Sequence, residues 1–299
     1  MKKAVVLLNM GGARDKKELK KFLKNMFLDR RIIASPMRYI ISFFITLLRT
    51  NKVWENYKLI GGSKIYEHTQ NLVRKINTLA KGDYDIFFAM RYTTPTIADV
   101  FHDKNYDEVL LFPMYPHFSS TTTLSSFDDA DKFFHDTKLL KIEHFFDDER
   151  FNEIIIDAIK KHHDGNAHLI FSAHSLPLSI AKRDIYEKHI RQHVEILSRQ
   201  LESKNIRFAD IHLAYQSKLG PIKWLGPSLD EVLKNIAPAP VVIYPISFTI
   251  DNSETDFELG IYYKNIAESF GITSYKLCKA QNDGDRFAEF IDEKIRESF

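Results

Sequence analysis

Two stretches, EVLLFPMYPHFSSTTT (residues 108–123) and PVVIYPISFTIDNSET (residues 240–255), decide how this 299-residue chain is read. Each opens on a run of apolar residues too continuous for a strand with one wet face, and so reads as a buried strand of a parallel sheet. Each then passes through Tyr-Pro, reaches a Phe two or three residues on, and enters a polar stretch suited to opening a helix. A second pair repeats the relation: DIFFAMRYTTP (85–95) matches DIHLAYQSKLGP (210–221). The matching pieces come in the same order in both halves, which implies duplication of one α/β unit.

Working outward, buried strands are expected at Val5–Leu8, Ile86–Ala89 and Val109–Pro113, then at Leu169–Ala173, Ile211–Tyr215 and Val241–Tyr244. Helical patterns fill the gaps at Asp15–Met26, Gln70–Leu79, Ser126–Phe134, Phe151–His162, Asp184–Lys204, Leu229–Leu233 and Phe257–Ser269. The predicted fold class is α/β: two similar doubly wound half-domains, each a parallel sheet flanked by helices, with a cleft between them. The half-domains are expected at 1–150 and 151–285. The first carries an insertion at about 28–64, and an amphipathic helix at 286–299 is expected to pack back on it. Ligands of such sheets bind beyond the carboxyl ends of the strands, where every motif below is placed.

Composition narrows the function. With 44% apolar residues the chain has material for a sizeable core, and its 23 Phe and 13 Tyr serve either that core or a pocket for a flat ligand. The formal charge is +2, with both signs spread along the chain. A basic stripe with interleaved aromatics is missing, so nucleic acid is not an expected partner. A single cysteine, Cys278, precludes an internal disulfide and a Cys-ligated zinc or iron–sulfur site, and suits a reducing compartment. The apolar run after Met1 is only about six residues, short for a secretory signal and better read as a first strand. No run approaches the roughly 20 residues of a spanning helix, and the expected location is the cytoplasm, with peripheral contact at the inner face of the membrane. That contact would use YIISFFITLL (39–48), between Arg38 and Arg49. This segment reads either as a buried helix or as an apolar rim touching a membrane surface.

Phosphate-binding signals are weak. Asn9-Met-Gly-Gly12 follows a strand without the G-x-G-x-x-G spacing, and Gly61-Gly62-Ser63-Lys64 lacks the strand and earlier glycine of a P-loop. The sharper features are His174, just past a buried strand in FSAHSLP, and Glu254 with Glu258, which share a helix face by i,i+4 spacing. His174 could cap the following helix, and Glu254 could serve the positive end of its own; Asp251 is the expected N-cap there. The repeat alignment sets the Glu254 helix across the cleft from the His174 turn. A neutral imidazole opposite carboxylates can accept protons and hold a divalent cation. The pairs His162–His163 and His189–His193 lie on helices without an acidic partner at ligand spacing and are expected at the surface.

Eight ordered motifs carry a resemblance: LNMGG at Leu8, FLDR at Phe27, YKLIGGS at Tyr57, MRYTTP at Met90, YPHFSSTTT at Tyr115, FSAHSLP at Phe171, YQSKLGPIKWLGP at Tyr215 and PISFTIDNSET at Pro245. Along nearly its whole length the chain resembles the ferrochelatases, which complete haem synthesis. The resemblance implies that Fe²⁺ replaces two pyrrole protons of protoporphyrin IX to give protohaem, with iron as substrate and no resident cofactor or iron–sulfur cluster. It implies porphyrin contacts from Arg49, Tyr57 and Ser63, with Met10 and Trp224 near the faces of the ring. It gives His174 proton abstraction and metal ligation, and Glu254 the part of metal ligand or second proton acceptor. Glu258 would extend an acidic path to solvent. The sequence departs from the family at Asn252, where a histidine is usual, at Asp184-Ile-Tyr186 in place of Asp-Pro-Tyr, at Asp256 in place of leucine, and at Tyr262 in place of an acid. A cobalt or coproporphyrin chelatase of the same architecture, and a non-catalytic haem or porphyrin carrier, are the competing readings. A carrier needs the aromatic pocket but not His174 with Glu254.

Overall fold

The computed structural model describes residues 2–218 and 220–299. Two compact units are present: residues up to His144 together with Asn282–Phe299, and Phe145–Gln281. The first unit contains β1 (Lys3–Asn9), α1 (Lys16–Leu28), α2 (Arg38–Leu59), α3 (Ile65–Ala80), β2 (Asp85–Met90), α4 (Ile97–Phe101), β3 (Glu108–Pro113), α5 (Thr123–Phe133) and β4 (Lys138–Lys141). The second contains α6 (Glu149–Lys160), β5 (His168–His174), α7 (Leu178–Ala181), α8 (Tyr186–Ser203), β6 (Asp210–Gln216), α9 (Leu229–Ile236), β7 (Val241–Tyr244), a π-helix (Glu254–Tyr262), α10 (Tyr263–Ser269) and β8 (Tyr275–Leu277). The closing helix α11 (Asp285–Ser298) belongs to the first unit.

Each unit holds a four-stranded, wholly parallel sheet, in the orders β2-β1-β3-β4 and β6-β5-β7-β8. The two orders are the same once each unit is counted from its own first strand, as the internal repeat predicts. The central strands β1 and β5 are buried along nearly their whole length because helices cover both faces. On one side of the first sheet, Val6, Leu8, Val109 and Leu111 pack against Phe101, Phe127 and Ala130 of α4 and α5. In the second, Ile170, Ala214, Val241 and Ile243 pack against Leu229, Leu233, Leu259 and Ala267. Burying each such aliphatic side chain contributes about 1.5–3 kcal/mol.

Helix starts follow local chemistry. Asp15 accepts from the Glu18 amide to cap α1, Asp148 accepts from the Arg150 amide to cap α6, and Ser228 with Glu231 forms a capping box on α9. Two strands escape the sequence reading: β4 and β8 are edge strands of four and three residues with no fully buried position. They are too short and too mixed to show a period.

One expectation is corrected, and one of two open readings is excluded. His189 and His193 are buried, not at the surface: i,i+4 spacing sets both on the inner face of α8. There His189 packs on Phe146, and His193 Nε2 pairs with Asn152 Oδ1 at 2.8 Å. The segment 39–48 is not a buried helix. It opens α2, whose inward face carries Ser42, Thr46 and Thr50, while Phe43 and Leu48 are 63% and 74% exposed. Ser42 and Thr50 satisfy their hydroxyls on the backbone carbonyls of Lys24 and Thr46, which lets polar residues line the packed side.

Candidate active site

Parallel pairing of β6, β5 and β7 brings three carboxyl ends together in the second unit. His174 is the last residue of β5 and pairs in register with Gln216, the last of β6. Beyond β7 the chain reaches the π-helix, whose first residue is Glu254. His174 Nδ1 lies 2.8 Å from Glu254 Oε2. The two are therefore in direct contact within the second unit, rather than set across a cleft from each other. Their side chains are partly open, at 37% and 26% exposure. With Nδ1–H donating to the carboxylate, the tautomer is fixed and the Nε2 lone pair is free to act. Neither Nε2 of His174 nor Oε1 of Glu254 has a hydrogen-bond partner among the described residues.

The surroundings hold this pair in place. The His174 amide donates to Ser247 Oγ at 3.1 Å, and the Tyr186 hydroxyl donates to the His174 carbonyl at 3.0 Å while lying 2.6 Å from Ser247 Oγ. Burial pushes the Tyr186 phenol well up, so its hydroxyl keeps its proton. Tyr186 is itself set by Asp184, whose carboxylate accepts from the Tyr186 amide. Gln216 accepts from buried Ser172 and turns its amide toward Glu254 Oε2 at 3.4 Å.

Ser217 is the residue that sequence reasoning missed most plainly. Its Oγ lies 2.8 Å from Glu254 Oε2 and 2.5 Å from Glu258 Oε2. One hydroxyl carries one hydrogen, so Ser217 donates to one of the two carboxylates at a time, its Oγ standing between them in a line from His174 to Glu258. Ser217 adopts φ +67, a left-handed conformation that a non-glycine residue holds only when its surroundings enforce it. The signal was its place directly after a strand end, inside YQSKLGP.

Electrostatics follow from this arrangement. For His174, burial acts to lower the pKa, but the charge and hydrogen bond of Glu254, with the charge of Glu258, outweigh it and hold the imidazole above its ordinary value. For Glu254, burial acts to raise the pKa, and the His174 charge and hydrogen bond, then Ser217 and Gln216, hold it below the usual carboxylate range. The pair is thus a base strengthened by an adjacent anion.

Asn252, not Asp251, caps the π-helix: its Oδ1 accepts from the Glu254 amide at 2.8 Å, and its own amide N–H donates to Thr255 Oγ1. Asp251 is instead drawn to the Ala280 amide and to Lys279. Three residues past His174, Pro177 bridges Trp224, and backbone bonds from Leu178 to Lys223 and from Leu225 to Leu176 fix that ribbon. This sets Trp224 beside the turn that follows His174.

The other expected contacts lie on the first unit. Met10 follows β1, its carbonyl bonded by the Tyr92 amide. The Ser63 amide donates to the Ala13 carbonyl at 2.9 Å, and the Gly62 amide to the Tyr57 carbonyl at 2.9 Å, so the turns 10–13 and 61–63 lie side by side. Gly12 is required there because a Cβ would overlap Ser63 Oγ. Tyr57 is only 4% exposed, stacks on Trp54 and packs with Ala13, Leu19, Leu23 and Phe27. Arg49, two turns before it on α2, makes no ion pair or hydrogen bond with a described residue.

The ferrochelatase family model matches residues 2–299. The ferrochelatase of Sulfurimonas denitrificans is 42% identical over 306 residues, covering 97% of both chains. That of Campylobacter concisus is 45% identical over 311 residues, covering 99% of this chain and 98% of its own. Among solved structures, SirB from Bacillus subtilis with Fe³⁺ superposes with a TM-score of 0.60 over 100% of this chain and 96% of its own, at 10% identity, a likeness of fold. Match and identity both extend over essentially the whole sequence: the chain belongs to the ferrochelatase family.

Proposed function

We propose that this enzyme inserts Fe²⁺ into protoporphyrin IX, with His174 and Glu254 as the groups that take the pyrrole protons and hold the metal. Iron insertion into a porphyrin during haem biosynthesis is the reaction of the family to which the chain belongs. The choice of protoporphyrin over coproporphyrin, and the residue roles, are our reading. The observation that carries the residue roles is the 2.8 Å His174–Glu254 pair, with Nε2 and Oε1 left open among the described residues.

Metallation exchanges one Fe²⁺ for two N–H protons. The first passes from a pyrrole nitrogen to His174 Nε2, and the imidazolium that forms is stabilised by the Glu254 carboxylate at Nδ1. Glu254 Oε1 is placed to ligate the incoming iron or to accept the second proton. Ser217 then links Glu254 to Glu258 as a route for protons toward solvent. Asn252, fixed as a cap by its amide oxygen, takes no part in proton transfer, and Tyr262 in place of an acid ends the route at Glu258. On the first unit we assign Arg49, which pairs with no described residue, to a propionate, with Met10, Tyr57 and Ser63 as further porphyrin contacts; on the second unit we assign Trp224 to the ring.

Iron is consumed as a substrate, and the reaction needs no resident cofactor. An iron–sulfur cluster would need several thiolates; the chain has one cysteine, whose buried thiol is pushed up to about 12. We also read α2 as a membrane-contacting lip on a cytoplasmic enzyme that does not bind nucleic acid. No described helix is long and apolar enough to cross a membrane, but an interfacial face is present: Tyr39, Ile40, Phe43, Phe44, Leu47 and Leu48 are all exposed.

Anaerobic assays with Fe²⁺ and either protoporphyrin or coproporphyrin test the reading. We expect the free-base visible spectrum to convert faster with protoporphyrin, and His174→Ala to lower that rate at least about 100-fold. A preference for coproporphyrin would overturn the substrate assignment, and an active His174→Ala enzyme would overturn the mechanism.

A further inference from the structure

We propose that His168, Asp210 and His212 form a second divalent-metal site at the opposite ends of strands β5 and β6 from the catalytic pair. His168 opens β5 and Asp210 opens β6, and the two are register partners; Ile170 pairs with His212. Side chains alternate along a strand, so His168, Asp210 and His212 stand on one face, at the amino-terminal rim of the sheet. Six strand steps separate His168 from His174, about 20 Å at roughly 3.3 Å per residue. The two constellations share a strand and cannot share an ion.

The distances suit a small cation. His168 Nδ1 lies 2.9 Å from His212 Nε2, and His212 Nε2 lies 3.6 Å from Asp210 Oδ2. The three donor atoms are all within 4.8 Å of one another. Metal bonds of about 2.0–2.1 Å place neighbouring ligand atoms about 2.9–3.4 Å apart for angles between square and tetrahedral. The ring centroids are 5.1 Å apart at 24°, so the imidazoles meet nearly edge to edge through these nitrogens. Without metal, a single proton between the nitrogens satisfies both rings, and Asp210 stands by as the compensating charge. A cation that replaces that proton gains two imidazoles and a carboxylate, after a small opening of the nitrogen pair.

The donor set selects the ion class. Two imidazole nitrogens and one carboxylate oxygen favour borderline first-row cations such as Zn²⁺, Co²⁺ or Fe²⁺ over Mg²⁺ or Ca²⁺. Three protein ligands leave positions for water. The site is reachable, since His212 is 25% and Asp210 64% exposed at the side chain. None of this depends on the porphyrin reading.

Zinc binding by the full chain tests the proposal, measured by equilibrium dialysis in a His174→Ala background that removes the catalytic imidazole. We expect one equivalent of Zn²⁺, with affinity reduced at least about tenfold by a further His212→Ala or His168→Gln change and by Asp210→Asn at its exposed position. Co²⁺ added in place of Zn²⁺ should give a visible d–d band that the same changes abolish. In the otherwise wild-type chain, Asp210→Asn should leave the rate of porphyrin metallation within about twofold. Circular dichroism selects the folded variants. No zinc bound in the His174→Ala protein, or zinc affinity unchanged in folded His168→Gln and Asp210→Asn proteins, would overturn the site.

Discussion

At His174 the direction of each hydrogen bond decides the chemistry. Glu254 takes Nδ1–H, Ser247 takes the backbone N–H, and Tyr186 holds the carbonyl, so Nε2 alone remains to exchange protons. The neighbouring carboxylates hold the imidazole above its ordinary value of about 6.5. A raised base is neutral only at higher pH, so the acid limb of the kcat/KM profile should lie above pH 6.5. Glu254→Gln removes the charge while keeping an acceptor at Nδ1. That limb should then move to lower pH, with a lower maximal rate. A limb that stays in place would show that Glu254 does not set the basicity of His174. The same pairing bears on stability with opposite signs. The raised His174 contributes below about pH 6.5 and loses its contribution as pH rises through its folded pKa. The lowered Glu254 contributes above its unfolded value and loses it as pH falls through its folded one.

At the scale of elements, α2 and the π-helix depart from what their sequences suggest. Helix α2 turns serines and threonines inward and leucines and phenylalanines outward, an arrangement that is unfavourable in water unless the outer face meets apolar matter. Arg38 lies over the Tyr39 ring at 4.6 Å, a cation at the edge of that face where anionic headgroups would sit. The enzyme should therefore sediment with vesicles containing anionic lipid. Phe43→Ser with Leu47→Ser should reduce the bound fraction several-fold, because each loses about 1.5–3 kcal/mol of burial. Equal sedimentation of the double variant would remove α2 from membrane contact. In the π-helix, the i→i+5 ladder replaces the α-helix that the pattern from Phe257 suggests. Hydropathy does not distinguish the two, since both put Glu254 and Glu258 on one side. From its first turn both carboxylates reach Ser217.

For the molecule as a whole, acid sensitivity should have one identifiable source in the second unit. His193 is fully buried near Phe146 and Phe151, and burial pushes its pKa down to about 3. In the unfolded chain the same ring titrates near 6.5. The contribution to stability is complete above pH 6.5 and falls by up to about 1.4 kcal/mol per pH unit toward pH 3, because the unfolded state takes up the proton first. Between pH 7 and pH 5 this is about 2 kcal/mol. Urea unfolding followed by circular dichroism should show that loss, and His193→Gln should reduce it by about the same amount. An equal pH dependence in both proteins would assign the effect elsewhere.

The α/β class, the six long strands, the repeated order and the two side chains to which we assign the chemistry were legible in the order of residues alone. Continuous apolar runs and ordered motifs are local signals, and a parallel sheet sends its loops to one end whatever the details of packing. Which groups touch became visible in the folded chain. That His189 and His193 are inside, that Asn252 rather than Asp251 caps the π-helix, and that His174 and Glu254 are in direct contact all depend on which faces pack. The same holds for Ser217, a small polar residue without any periodic signature, which acquires its part because β6 ends beside β5 and sets its hydroxyl between two carboxylates. Hydrogen bonds between residues distant along the chain are set by the register of strands, and that register is fixed by the packed core rather than by any one segment.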